Sequence, residues 1–281
     1  MTGSTEAASG AVVTDRPRRR RTKPVCTAVA AEVIRVVELS PHLVRITVGA
    51  AEFADLSFLG SDHYLRLLLP RPGQAVPVLP TSEAWWTEMH AMPAAIRPIL
   101  RNYTVRAVRP ESAELDIDFV RHGDVGPGSR FAGAARVGDR IGVIDQGVLH
   151  EIDRGAQDYL VIGDETALPA AAGVLADLGA GVRVQALLEI PSASDTIDLP
   201  SAATLDVRYL VRSDPHARPG SVILASLREL RRPMGAPTAW IAGESRMATA
   251  TRRHLVNALG LPKSAICFHG YFRHGRAQYD D

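Results

Sequence analysis

Cysteine is nearly absent from the 281 residues: Cys26 and Cys267 stand close to opposite ends. Two isolated thiols supply no disulfide framework, no CxxC and no thiolate set for zinc or an iron–sulfur cluster. A reducing, cytoplasmic setting fits them best. No run of 18 uninterrupted apolar residues occurs, which excludes a membrane-spanning helix on bilayer thickness. The nine histidines form no HExxH or other tight ligand spacing, so no metal is expected. P-loop, GxGxxG and GxSxG motifs are all missing, and nothing supports a serine or cysteine nucleophile. Net charge is small as well, with 32 basic against 31 acidic residues. Six of the basic side chains (Arg16, Arg18, Arg19, Arg20, Arg21, Lys23) crowd into the first 24 residues beside Glu6 and Asp15, which leaves the remainder at −3. That body has no phosphate-neutralising excess, so no nucleic-acid partner is expected.

What remains is ordinary globular composition, 46% apolar and 22% charged, in a chain long enough for about two domains at roughly 150 residues each. Residues 1–24 read as a disordered Arg-rich leader. The rival reading, an export signal running from Arg18 into Val25 to Ala31, is interrupted by Glu32 and Arg35. Residues 25–155 carry about six short β-rich runs: Val25 to Val37, Leu43 to Val48, Tyr64 to Leu69, Tyr103 to Val108, Leu115 to Val120 and Arg140 to Ile144. Leu115-Asp116-Ile117-Asp118-Phe119 alternates apolar and acidic residues, the pattern of a half-buried antiparallel strand. The expected fold here is a six-stranded antiparallel β-barrel. Gln74 to Pro98 forms a helix-containing excursion in which Trp85, Trp86, Met89 and Met92 pack locally.

Over residues 156–281 short strands (Tyr159 to Ile162, Val182 to Ile190, Leu205 to Val211, Thr238 to Ala242) alternate with helices (Thr166 to Leu178, Ser221 to Leu230, Ser245 to Leu259). That alternation predicts an α/β nucleotide-binding domain with a parallel sheet and ligands at the strands' carboxyl ends. In the last helix Met247, Thr251, Leu255 and Leu259 share one face, and Arg246, Arg253 and Asn257 lie elsewhere.

Two segments carry chemistry. Arg101, Tyr103 and Val105 share one side of Arg101-Asn102-Tyr103-Thr104-Val105-Arg106, and a guanidinium beside a phenol suits a flat anionic cofactor, although an exposed strand face has the same pattern. Downstream, Asp118 to Ala132 ends a strand in a Gly/Pro turn and opens a short helix whose free N–H groups, near Ser129 and Arg130, offer an anion site. An ordinary capped turn is the alternative.

Arg101 to Arg106, Asp118-Phe119-Val120-Arg121-His122-Gly123-Asp124, Gly126-Pro127-Gly128-Ser129-Arg130-Phe131-Ala132, Gly163-Asp164-Glu165-Thr166-Ala167-Leu168-Pro169-Ala170, Ala242-Gly243-Glu244-Ser245 and Gly270-Tyr271-Phe272-Arg273 occur in one order. In that order the chain resembles the siderophore-interacting protein family, flavin-dependent ferric-siderophore reductases on the ferredoxin-reductase fold. The resemblance spans about residues 25–276. It implies that Arg101, Tyr103 and Thr104 hold FAD, that Arg106 supports the strand, and that Asp118, His122, Gly126 and Ser129 complete the phosphate and adenine side. It implies that NADPH or NADH docks at Gly163, Asp164, Glu165, Thr166 and Ala167 and at Gly243 and Glu244. Arg66, Arg130 and Arg246, with Arg273 behind them, are expected to attract an anionic ferric siderophore, unless they are solvated surface side chains. No catalytic residue is expected beyond the flavin.

The chain departs from the family pattern at Phe272 (usually Trp), Gly128 (usually Ala) and Arg66 (commonly Lys). Arg keeps the charge but never releases a proton, which removes any mechanism that needs a titratable lysine there. A flavodoxin or ferredoxin as electron acceptor, or a non-catalytic flavin sensor, are the competing readings. The protein is expected to be a monomer. Arg212 and Ser213, after a strand, are candidates for a 2′-phosphate, or form an ordinary polar strand end.

Overall fold

The computed structural model describes residues 27–121, 126–150, 153, 155–214, 216–230, 235 and 237–275. The Arg-rich leader, Cys26 and His122 lie outside these residues. The first sheet is built from β1 (Val29–Ser40), β2 (Leu43–Gly49), β3 (His63–Leu69), β4 (Ile99–Thr104), β5 (Ala107–Arg109), β6 (Glu114–Val120) and β7 (Arg140–Val148). Helix α1 (Trp85–Ala91) lies in the excursion before β4, and α2 (Pro127–Ala134) lies between β6 and β7. The strands run antiparallel in the order β4-β3-β7-β1-β2-β6-β5.

The expected six strands are therefore seven, and the barrel is not closed by a continuous ladder. The expected run Tyr103 to Val108 is broken, because β4 pairs with β3 at one edge and β5 pairs with β6 at the other. Val105 and Arg106 bridge the opening, donating their N–H groups to the carbonyls of His63 (2.8 Å) and Asp116 (2.9 Å). A straight strand cannot serve both edges. Inside, alternating residues such as Val33, Ile46, Leu65, Leu67, Ile117 and Phe119 form the core, and α2 adds Phe131 and Ala132.

The other face of β6 differs from the sequence expectation in its environment. Asp116 and Asp118 do alternate with the apolar residues, yet both are buried. Arg109 forks onto Asp116 at 2.7 Å, Thr47 donates to it at 2.7 Å, and Arg45 forks onto Asp118 at 2.7 and 2.8 Å. Burial opposes ionisation of Asp116, but the Arg109 and Thr47 bonds hold its carboxyl below the usual range. In the excursion Trp85 and Met89 are buried with Leu68, Leu100 and Ile144.

The second sheet contains β8 (Asp158–Gly163), β9 (Arg183–Ile190), β10 (Thr204–Val211), β11 (Thr238–Glu244) and β12 (Ile266–Phe272). Helices α3 (Leu168–Ala176), α4 (Ser221–Ser226) and α5 (Ser245–Asn257) connect them. All pairs are parallel, in the order β10-β9-β8-β11-β12. Two features depart from the sequence reading. Strand β12 was not expected, and β9 passes to β10 without an α-helix. Pro191 and Pro200 bracket that crossover, whose one helical turn, Ala193–Asp195, is closed by a Ser192/Asp195 capping box. Ile197 and Leu199 then pack on the core.

The order reverses between β8 and β11, which makes their carboxyl ends the topological switch point. That point faces the barrel, because the Glu165–Ala167 turn touches β6 and Val120 packs beside Ala167 and Leu168. Polar latches join the two sheets. Asp62 accepts N–H bonds from Leu149 (3.0 Å), His150 (2.8 Å) and the Trp240 indole (3.3 Å), while Asp195 accepts from Ser40 Oγ (2.5 Å) and the His42 amide (3.1 Å). Among the described residues no helix is long and apolar enough to cross a membrane.

Candidate flavin and nucleotide site

On the barrel side the site is made by β4 and α2. Arg101 and Tyr103 lie opposite Leu67 and Leu65, on the core-facing side of the strand. Arg101 is buried and gives Nη1–H to the Leu100 carbonyl at 2.7 Å. Tyr103 lies with its ring centroid 4.2 Å from that of Phe119, and burial pushes its phenol pKa up. Its hydroxyl sits over Gly128, where a Cβ would collide with it. Helix α2 begins at Gly126 (φ 85°), carries Pro127 in its first turn, and has no side-chain cap. An uncapped helix start, a buried guanidinium and a closely approached glycine fit the diphosphate of FAD.

Sequence-predicted residues fall into two groups here. Tyr103 reaches the first turn of α2 through Gly128, which lies between Gly126 and Ser129, while Arg101 is buried on β4 two residues before Tyr103. Asp118 and Arg106 instead serve a lattice: both Asp118 oxygens are bonded to Arg45, and Arg106 Nε stands 3.7 Å from Asp118. Thr104 is buried on β4.

At the switch point the loops are tied down by acids. Asp164 Oδ1 accepts from the Thr166 amide (3.0 Å) and hydroxyl (2.6 Å), and Oδ2 accepts from the Glu244 amide (2.6 Å). Gly243, at φ 131°, is required because any Cβ would strike that carboxylate. Glu244 Oε2 caps α5 by accepting from the Arg246 (2.7 Å) and Met247 (3.0 Å) amides. These acids fix the loops, and the Arg246 and Met247 amides of α5 are already satisfied.

Burial, reinforced by the neighbouring Glu165 carboxylate, raises the Asp164 pKa to about 7. A carboxyl raised from 3.8 binds more protons folded than unfolded across pH 4–7. Its stabilisation is therefore complete below about pH 4 and lost as pH rises through 7. Asp164→Asn is expected to remove this falling component, so stability measured by urea titration at pH 4.5, 5.5, 6.5 and 7.5 slopes less steeply downward, or more upward, than in the parent. An unchanged slope contradicts the assignment.

Arg212 corrects the sequence reading outright. It is buried rather than poised for a 2′-phosphate, with Nη2 2.6 Å and Nη1 3.0 Å from Glu165 and Nη1 2.6 Å from Glu189. Of the four arginines expected to meet substrate, Arg246 and Arg273 share a pocket of about 450 Å³ with Ser245, Thr249, Ala250 and Arg253. Arg130 is exposed on α2, and neither it nor Arg66 lines that pocket. Arg66 lies over Trp85 (4.8 Å) and Trp86 (5.1 Å). Arg253 was not singled out as a substrate residue, although its position two turns after Arg246 was legible.

Comparison with known proteins decides the family. Residues 32–149 match the siderophore-interacting FAD-binding domain, and residues 156–275 match the siderophore-interacting protein model. The chain belongs to the siderophore-interacting protein family. The ferric vibriobactin reductase ViuB of Vibrio cholerae is 27% identical over 250 residues, 87% of this chain and 89% of ViuB. The siderophore-interacting protein SipS of Aeromonas hydrophila is 32% identical with TM-score 0.75, covering 90% of this chain and 94% of SipS. A ferredoxin-NADP+ reductase from Plasmodium falciparum, at 9% identity and TM-score 0.60, covers 87% of this chain and 96% of its own, a likeness of fold alone. In this siderophore-interacting protein the FAD-binding match contains the Arg101–Tyr103 strand and α2, and the second match contains the switch point.

Proposed function

We propose that this siderophore-interacting protein uses a nicotinamide nucleotide to reduce ferric iron held by a siderophore, so that Fe2+ leaves the complex. The observation that carries the reading is the Arg246–Arg253–Arg273 pocket at the start of α5, whose three guanidiniums have no ion pair among the described residues. Such a pocket concentrates an anionic iron complex of the catecholate type. Hard oxygen ligands hold Fe3+ far better than Fe2+, so one-electron reduction loosens the metal. Bound FAD supplies the conversion from the nucleotide's two-electron donation to the single electrons that iron accepts.

The chain's own groups position these partners. Arg101 and the first turn of α2 receive the FAD phosphates, and Tyr103 and Thr104 flank the ring. Asp164 and Glu244 hold the switch-point loops in the shape that the nucleotide meets. Arg130 and Arg66 remain candidates for the outer approach of the siderophore. The ViuB relative, named a ferric vibriobactin reductase, supports the substrate class. In this reading the enzyme is a cytoplasmic monomer, and its two isolated cysteines suit a reducing compartment.

Arg253→Glu tests the pocket. The KM for a ferric catecholate siderophore is expected to rise about tenfold, as for loss of one charge-assisted contact, with FAD content unchanged. An unaltered siderophore KM together with slowed reduction of a ferredoxin or flavodoxin would favour the protein-acceptor reading instead.

A further inference from the structure

In parallel-sheet nucleotide folds the adenosine ribose lies off the carboxyl ends of strands beside the first one. There a carboxylate takes a ribose 2′-hydroxyl, and an arginine takes a 2′-phosphate. By position two side chains compete for those roles here, Glu189 near the end of β9 and Arg212 just past β10. Each is consumed by the other. Glu189 is fully buried and accepts Arg212 Nη1 (2.6 Å) and the Gly220 amide (2.8 Å) on Oε1, and the Val222 (2.9 Å) and Ile223 (3.1 Å) amides on Oε2. Arg212 also grips Glu165 through both terminal nitrogens. One guanidinium thus serves two carboxylates, and both of its terminal nitrogens are taken.

The groups that solvent meets at this edge are Ser213 and Asp214, both exposed. Asp214 Oδ1 accepts from the His216 amide at 2.8 Å. Among the described residues, the nearest arginine in sequence with no ion pair is Arg218, exposed on the far limb of the turn that leads to Gly220.

We infer that the nucleotide site takes NADH and discriminates against NADPH, with Asp214 as the specificity-determining residue. A 2′-phosphate dianion brought to this edge meets the exposed Asp214 carboxylate, and among the described residues Arg212 is already paired and Arg218 lies on the far limb of the turn rather than at the strand end. A ribose 2′-hydroxyl meets an acceptor. The inference rests on the reading that the dinucleotide docks at the switch point.

The test is equilibrium binding of adenosine 5′-monophosphate and adenosine 2′,5′-bisphosphate to the FAD-loaded, full-length protein by titration calorimetry. It is paired with rates of flavin bleaching by NADH and NADPH. The monophosphate is expected to bind about tenfold more tightly, and NADH to bleach the flavin with the larger second-order rate constant. Asp214→Ser narrows the binding gap and Asp214→Arg reverses it, while FAD content and thermal midpoint stay at parent values because the residue is exposed. Equal or tighter bisphosphate binding in the parent overturns the inference, as does an unchanged ratio in Asp214→Ser. A selective loss of bisphosphate affinity in Arg218→Ala also overturns it, because Arg218 would then read the phosphate. If neither adenosine nucleotide binds and neither dinucleotide bleaches the flavin, the docking reading itself fails and the inference falls with it.

Discussion

Arg212→Ala is expected to lower the thermal midpoint by about 10 °C. The substitution strands two buried carboxylates, Glu165 and Glu189, that share the guanidinium at 2.6 Å each. Removing one partner of a buried ion pair costs about 3–5 kcal/mol, since the remaining charge stays desolvated. At this chain length each kcal/mol moves the midpoint by roughly 2–4 °C. Arg212→Lys keeps a charge but not the fork, and it should recover only part of the loss. Scanning calorimetry on all three proteins checks this. A midpoint for Arg212→Ala within a degree of the parent would mean that the cluster is not buried as described.

The second large effect concerns flavin. Arg101→Ala is expected to weaken FAD retention by at least about a hundredfold, so the protein purifies nearly colourless. The reasoning is that charge-assisted bonds to phosphate are worth roughly 1.5–3 kcal/mol each and that a guanidinium can make two in parallel. Burial of Arg101 removes the competition from bulk water that screens exposed pairs. Arg101→Lys should retain an intermediate amount, because a point charge replaces the planar fork. The ratio of absorbance near 450 nm to that at 280 nm after gel filtration reads the outcome. A fully yellow Arg101→Ala protein would place the phosphates elsewhere.

Much of this architecture was legible because periodicity carried it. The first half shows short β-rich runs separated by turn signals, the second half shows strands succeeded by helices, and that contrast separates the two sheets before any contact is known. The break between β4 and β5 was not legible, since Tyr103 to Val108 favours strand throughout and the interruption at Val105–Arg106 is imposed by the two edges it must join. The missing helix between β9 and β10 had a signal in Pro191, Pro200 and the Ser192/Asp195 spacing. Strand β12 was hidden by Gly270, which is needed because any Cβ there would strike Ser245.

The site divides in the same way. Arg101, Tyr103 and the Gly126–Ser129 turn lie close in sequence or in a recognisable order, so local motifs are enough to propose them. The role of Arg212 depends on Glu165 and Glu189, which are 47 and 23 residues away. Only the fold brings those groups together, and no spacing rule separates a buried ion-pair arginine from one waiting for a phosphate. Asp164 gave a motif position but not its raised pKa, which comes from complete burial beside Glu165.

The proposed reaction passes electrons from a nicotinamide nucleotide through bound flavin to siderophore-held iron. Its most direct test is anaerobic absorbance spectroscopy of the purified protein: NADH is added first, then a ferric catecholate siderophore with a ferrous-iron chelator present. The expected result is a yellow protein that bleaches with NADH, regains its colour on addition of the ferric complex, and yields chelated Fe2+ in a ratio approaching two per NADH consumed. A flavin that bleaches but stays reduced in the presence of the ferric siderophore, with no chelated Fe2+, would contradict it.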